Sequence, residues 1–251
     1  MLEKVSGADA LSTIDIRAGV ELPAHREDIE LITADGHKLV GELATPLDHA
    51  PVATLVTLHP LPTHGGFMDS HVLRKAANRL PALADFAVLR FNTRGTESPR
   101  GKSEGSFDGG KDERFDVQAA LDFVASRHLP NVWLVGWSFG TELALKYGVD
   151  KDIRGVILLS PPLHRTSVDE LKAWVGSPKR VVALIPEFDD YLTPQPARER
   201  FSVIPHAEVV AIAGAKHLWV GETATKAVLD EIVQAVAPER GPLPTSFELA
   251  D

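Results

Sequence analysis

A mainly parallel sheet covered by helices on both faces, an α/β architecture, is the fold class that this sequence predicts. Three observations carry the prediction. Short β-branched runs alternate along the chain with longer amphipathic stretches. Most of the runs are almost continuously apolar instead of alternating, as strands are when both faces of a sheet are covered. The 251 residues suit one large domain or two small ones, and no repeat, low-complexity block or interior linker divides them.

The elements follow in order. The pair Asp35-Gly36 between the runs at 30–33 and 38–43 predicts an opening antiparallel hairpin. Buried strands are expected at 53–58 (ATLVTL), 86–91 (FAVLRF), 132–135, 155–159, 181–185 and 207–212. Helices are expected at 69–83, 112–126, 138–147, 167–175, 194–201 and 222–237. Asp69 and Ser167 stand where N-caps belong, and Ser167 with Glu170 fits a capping box. The expectation is eight strands, the first two antiparallel and the rest joined by crossovers, in a single domain with a core at about 27–237. Residues 1–26 and 238–251 read as loop-like extensions by composition.

Composition excludes several functional classes. With 26 basic and 35 acidic side chains the formal net charge is −9, and no basic cluster stands ready for phosphates, so no nucleic-acid partner is expected. The absence of cysteine removes disulfides, thiolate metal sites and cysteine nucleophiles together. A hydrophobic fraction of 44% with 24% charged residues is too apolar for a disordered chain. The start of the chain has no basic stretch leading into an apolar run, so no secretory signal is read. The longest apolar runs, such as 181–186, fall far short of the roughly 20 residues that cross a bilayer, and a soluble, cytoplasmic protein is expected.

Chemistry concentrates at Gly136-Trp137-Ser138-Phe139-Gly140, a G-x-S-x-G motif set between a strand run and a helical stretch. A serine at such a turn has its hydroxyl pushed above the sheet, and the small flanking residues allow the tight packing. The helix that follows aims its N-terminal amides at the same place, where they stabilise developing negative charge. A serine hydroxyl needs a base to take its proton and a carboxylate to orient that base. His217, after the run at 207–212, is the histidine that follows a C-terminal strand end; His206 precedes that run and falls at the opposite edge. The acid comes from the loop after 181–185. Counting forward from Pro186 favours Asp189, counting back from Pro194 favours Asp190, and Glu187 is more remote. Asp189 is taken as the candidate.

The loop after the third strand, Leu58 to Gly66, supplies the second oxyanion donor. Proline has no N–H, so Pro60 and Pro62 leave the amide of Leu61 as the candidate, paired with that of Phe139. His59 and His64 invite a metal reading, but they lack paired carboxylates at ligand spacing. No metal is expected, and His59 is read as bonding loop backbone behind the oxyanion turn. The Gly-rich stretch after Asn92 matches no phosphate-binding motif and reads as a long surface loop, with Arg94 anchoring it to carboxylates.

With Ser138, Asp189 and His217 in that order, an oxyanion turn after strand three and a hairpin start, the chain resembles the α/β-hydrolase superfamily over about residues 27–237. It is most similar to small cap-less bacterial serine hydrolases of the dienelactone-hydrolase and peptidase-like branch. These share a His-Pro-x-Pro loop and a segment like Arg90 to Gly95. The resemblance implies the α/β-hydrolase fold, an eight-stranded sheet, and hydrolysis of an ester or similar acyl bond without a cofactor. Pro186 stands where many relatives have glycine. The stretch 160–179 has room for one helix and no cap.

An open pocket is therefore expected, lined by Leu61, Phe67, Trp137, Phe139, Leu163, Tyr191, Leu192 and Trp219. The expected function is a carboxylesterase acting on small-molecule esters through an acyl-enzyme. A peptidase, lactonase or thioesterase would use the same residues, and a non-catalytic binding protein is the reading from another class. Serine at 138 excludes the aspartate chemistry of haloalkane and epoxide hydrolases.

Overall fold

The computed structural model describes residues 12–249. Its main sheet holds eight strands: β1 (His25–Ile32), β2 (Lys38–Thr45), β3 (Ala53–Leu58), β4 (Phe86–Phe91), β5 (Val132–Trp137), β6 (Gly155–Leu159), β7 (Arg180–Phe188) and β8 (Glu208–Lys216). Across the sheet the order is β8-β7-β6-β5-β3-β4-β2-β1. Strand β2 runs against both of its neighbours, β1 and β4, and every other pair is parallel. The expected opening hairpin is present, with Gly36 at φ 90° and its N–H on Thr33 O.

The apolar runs are continuous because both faces are covered. Helices α1 (His71–Ala84) and α6 (Glu222–Val236) pack on one face, where they meet Leu55, Val88, Ile157 and Leu184. Helices α2 (Glu113–Ser126), α3 (Phe139–Tyr147), α4 (Val168–Lys172) and α5 (Pro194–Phe201) cover the other, against Val56, Leu89, Leu158 and Ile185. Adjacent strand residues thus feed opposite cores. All parallel strands end at one edge of the sheet, so the loops that follow β3, β5, β6, β7 and β8 gather there.

Several details differ from the sequence-based expectations. Strands β7 and β8 outrun their apolar stretches, since they pair up to Phe188 and Lys216 across a register shift after Pro186. Helix α4 stops at Lys172, short of 175. The nearby Trp174 is instead pinned in the core, its indole N–H on Leu145 O at 3.0 Å. The capping box of Ser167 and Glu170 is formed. Asp69 does not cap α1, which begins after Ser70. Its carboxylate is held by Arg90, from the buried interior of β4, and by Arg100 at 2.9 Å.

The extensions are not loops throughout. Ser12–Asp15 pairs antiparallel with Ser246–Leu249. The opening eleven residues, where no secretory signal is read, lie outside the described part. Among the described residues no helix is long and apolar enough to cross a membrane.

Candidate active site

Strand β5 runs directly into Ser138, whose φ of 52° and ψ of −114° place an ordinary L-residue in strained backbone geometry. The glycines on either side explain why the turn can close. A Cβ on Gly140 would stand 2.0 Å from Leu58 O, and one on Gly136 would stand 2.4 Å from Gly140 O. Backbone therefore packs on backbone, which only glycine permits. The Ser138 N–H is tied to Leu159 O at 2.8 Å, which fixes the turn to the end of β6.

The hydroxyl so presented meets the sequence-predicted partners. Ser138 Oγ lies 3.0 Å from His217 Nε2, and His217 Nδ1 lies 2.9 Å from Asp189 Oδ2. In the tautomer this chain of bonds requires, Nδ1–H donates to Asp189 and Nε2 accepts from Ser138. The other carboxylate oxygen of Asp189 accepts the N–H groups of Tyr191 at 2.8 Å and Leu192 at 3.0 Å. Burial pushes the Asp189 carboxyl up, but the bond from His217 and these two amides outweigh it and leave the group below its usual range. Asp190 is exposed to solvent. Glu187 accepts Gly214 N–H at 2.7 Å and so clips the ends of β7 and β8 together. Of the three acids, Asp189 is the one the structure places against His217.

The histidine loop is held by Trp137, read from the sequence as pocket lining, and by Ser160 and His71, which sequence reasoning did not single out. The carbonyl of His217 accepts from Trp137 Nε1 at 3.2 Å and from Ser160 Oγ at 3.1 Å. The next carbonyl, Leu218 O, accepts from His71 Nε2 at 2.5 Å, and the His71 and Trp137 rings stand nearly perpendicular with their centres 5.3 Å apart. Burial keeps His71 below its ordinary pKa, in keeping with a neutral donor. Ser160 could have been found as the residue immediately after β6; nothing local marked His71.

On the other side of Ser138 lies the turn after β3. Neither the Leu61 nor the Phe139 amide meets a protein acceptor among the described residues, and both residues line the same cleft as Ser138. His59 sets the direction of the Leu61 amide. Its Nε2 accepts Thr93 N–H at 3.0 Å, so Nδ1 carries the proton and donates to Pro60 O at 2.7 Å. That carbonyl and the Leu61 N–H belong to one planar trans peptide and point opposite ways. Pulling Pro60 O inward thus turns the Leu61 N–H out. Burial lowers the His59 pKa to about 4, so the ring is neutral and can fill both roles. The expected backbone role of His59 is what the geometry contains. Arg94 likewise anchors its loop, bonding Asp35 and Asp116.

The cleft above these groups has a volume of about 310 Å³. Leu61, Phe139 and Tyr191 line it as expected, and the Tyr191 ring stands edge-on to His217 at 4.6 Å. Trp137, Leu163, Leu192 and Trp219 do not; all four are buried in the core, because a large apolar side chain beside a site packs behind it when nothing keeps it in the opening. Phe67 lines a neighbouring groove beyond the turn that follows β3. The walls that sequence reasoning missed are more polar: His64, His164 and Arg165, with Pro60, Pro162 and Leu218.

A serine on a strand-to-helix turn, hydrogen-bonded to a histidine after β8 that is in turn bonded to an aspartate after β7, defines an α/β serine hydrolase architecture. The family model described as "Alpha/beta hydrolase family" matches residues 55–201, and the chain belongs to that family. An uncharacterised protein of Rickettsia prowazekii is 34% identical over 122 residues, which are 46% of this chain and 47% of that protein. The chain thus matches about half the length of that curated relative. XC6422 from Xanthomonas campestris, described as an α/β serine hydrolase without lid, superposes with a TM-score of 0.71 at 25% identity, covering 86% of this chain and 96% of its own. The Pyrococcus furiosus esterase Pf2001 gives a TM-score of 0.66 at 19% identity over 85% of this chain and 93% of its own. Among the described residues, the single short helix α4 is the only regular element between β6 and β7, where a cap would be inserted.

Proposed function

We propose that the chain hydrolyses carboxylic esters of small to medium size through Ser138, His217 and Asp189. Ser138 Oγ attacks the ester carbonyl as His217 Nε2 takes its proton. Asp189 holds the imidazole in the required tautomer and stabilises its cation. The amides of Leu61 and Phe139 receive the oxyanion. The proton passes from His217 to the leaving alcohol as the acyl C–O bond breaks. Water then adds across the acyl-enzyme, its hydroxide to the acyl carbon and its proton through His217 back to Ser138.

The observation that carries this reading is the unbroken run from Ser138 Oγ through both ring nitrogens of His217 to Asp189, at 3.0 and 2.9 Å, opening on a cleft with two unengaged amides. The fold shared with a protein described as an esterase favours esters over amides, as does the better leaving ability of an alkoxide. The test is the initial rate on p-nitrophenyl esters of increasing acyl length. Turnover that falls by about 10⁴-fold or more in Ser138→Ala supports the reading. Equal rates in wild type and Ser138→Ala on every ester would overturn it, and amides, lactones and thioesters would be tried next.

A further inference from the structure

The cleft beside Ser138 is lined by one permanent cation and by no carboxylate, although the chain as a whole is acidic. The protein carries a formal net charge of −9, yet the cleft beside Ser138 is lined by Arg165, His64, His164 and His217 and by no aspartate or glutamate. Arg165 is the fixed cation of this set. Its guanidinium carbon lies 5.7 Å from the centre of the Phe139 ring, on the residue that offers the oxyanion amide. Its ion-pair partner among the described residues is the buried Glu142, 3.5 Å from Nη1, at the outer limit of a hydrogen bond. The other oxygen of Glu142 is occupied by the Arg165 backbone N–H at 2.5 Å. Glu142 therefore holds the arginine in place without saturating it. The Nε and Nη2 donors meet no protein acceptor among the described residues, and the side chain is 38% exposed. Arg94, on the far side of the oxyanion turn, is the opposite case: it engages Asp35 and Asp116 through four side-chain bonds and is almost wholly buried.

We propose that the preferred ester carries a carboxylate, which docks on the free edge of the Arg165 guanidinium while Ser138 attacks the ester carbonyl. This rests on the hydrolytic reading above. The planar fork of a guanidinium matches a carboxylate with two parallel bonds, and its charge is permanent. A cleft of about 310 Å³ accommodates a compact ester of this kind. Phe139 gives the anchor a defined distance from the reacting carbon, because one residue supplies both the ring under the guanidinium and the amide under the oxyanion.

The test compares kcat/KM for two matched pairs: mono-p-nitrophenyl adipate against p-nitrophenyl hexanoate, with the carboxylate on the acyl side, and para-acetoxybenzoate against phenyl acetate, with it on the leaving side. At low salt the carboxylate member of at least one pair is expected to be preferred by about tenfold, the size of one partly exposed charge-assisted bond. The preference should shrink as sodium chloride is added. Arg165→Gln should lower the ratio and Arg165→Lys should keep part of it. Since Arg165→Gln strips Glu142 of its partner, the pair Glu142→Gln with Arg165→Gln supplies a charge-balanced version; the wild-type ratios need no variant at all. Ser138-dependent turnover with both ratios at or below one overturns the carboxylate anchor and leaves the hydrolase standing. Loss of Ser138 dependence on all four esters overturns the hydrolase reading itself.

Discussion

The two edges of the main sheet are made by the same strands under different rules. Where parallel strands begin, the non-glycine residues at positive φ are Asp85, His128 and Asn131. Where they end, the corresponding residues are Ser138, Ser160, Leu163 and Trp219. Aspartate, asparagine and histidine enter the left-handed region with comparative ease, whereas serine, leucine and tryptophan do so at about 1–3 kcal/mol each. Polar groups divide the same way. His128 at the first edge is exposed, while His59, Ser160, Asp189 and His217 at the second are buried and hydrogen-bonded. Strain and buried polarity are thus gathered where the strands end and are held there by one another. An edge that served only to turn the chain would need neither.

Variants at the two edges should separate accordingly. The largest effect is expected from Asp189→Asn, which leaves the shape of the site but offers His217 the wrong partner. Ester turnover should fall by about 10⁴-fold, whereas the adjacent Asp190→Asn should stay within about twofold of wild type. Comparable losses in both would place the acid elsewhere.

Next comes the pH dependence of stability set by His59. Its pKa is about 4 in the folded protein and about 6.5 when unfolded, so the unfolded chain binds the proton first. The stability due to the neutral buried ring is complete above pH 6.5 and is lost as pH falls from there toward 4, by up to roughly 3 kcal/mol. Urea titrations across this range should show the loss in wild type and a flatter profile in His59→Gln. An unchanged slope would mean that the buried ring is not the group responsible.

A smaller effect is expected at Ser160. Ser160→Ala keeps the backbone but removes one of the two donors on His217 O. A drop in kcat of about threefold to tenfold with little change in KM is the predicted result. The smallest effect belongs to the quiet edge. His128→Gly relieves a positive φ on an exposed residue and should raise stability by about 0.5–1 kcal/mol, leaving ester turnover as it was. A stabilisation of the same kind from Ser160→Gly with full activity would erase the contrast between the edges.

What the sequence disclosed follows the same division. The strands were legible because both faces are covered, which turns each into a continuous apolar run such as 53–58 or 155–159. Ser138 and His217 were legible because each immediately follows a strand, so chain order alone brings them to one edge. The choice between Asp189 and Asp190 was not settled by counting. It depends on a turn in which Asp189 reaches forward to the amides of Tyr191 and Leu192, and adjacent side chains diverge. The lining of the cleft was least legible. Apolarity does not tell Trp219 in the core from Tyr191 at the opening, and the charged wall at Arg165 lies in the loop after β6, where no apolar pattern operates. Asp69 was misread as a cap because its partner, Arg90, is 21 positions away in the chain.

The central claim, that Ser138 is a nucleophile activated by His217, is tested most directly by a p-nitrophenyl alkylphosphonate, which traps an activated serine without requiring the right ester. A burst of one equivalent of p-nitrophenol per chain is expected, with a matching mass increase confined to the peptide holding Ser138, and neither in Ser138→Ala. A label on another residue, or equal labelling of Ser138→Ala, would contradict it.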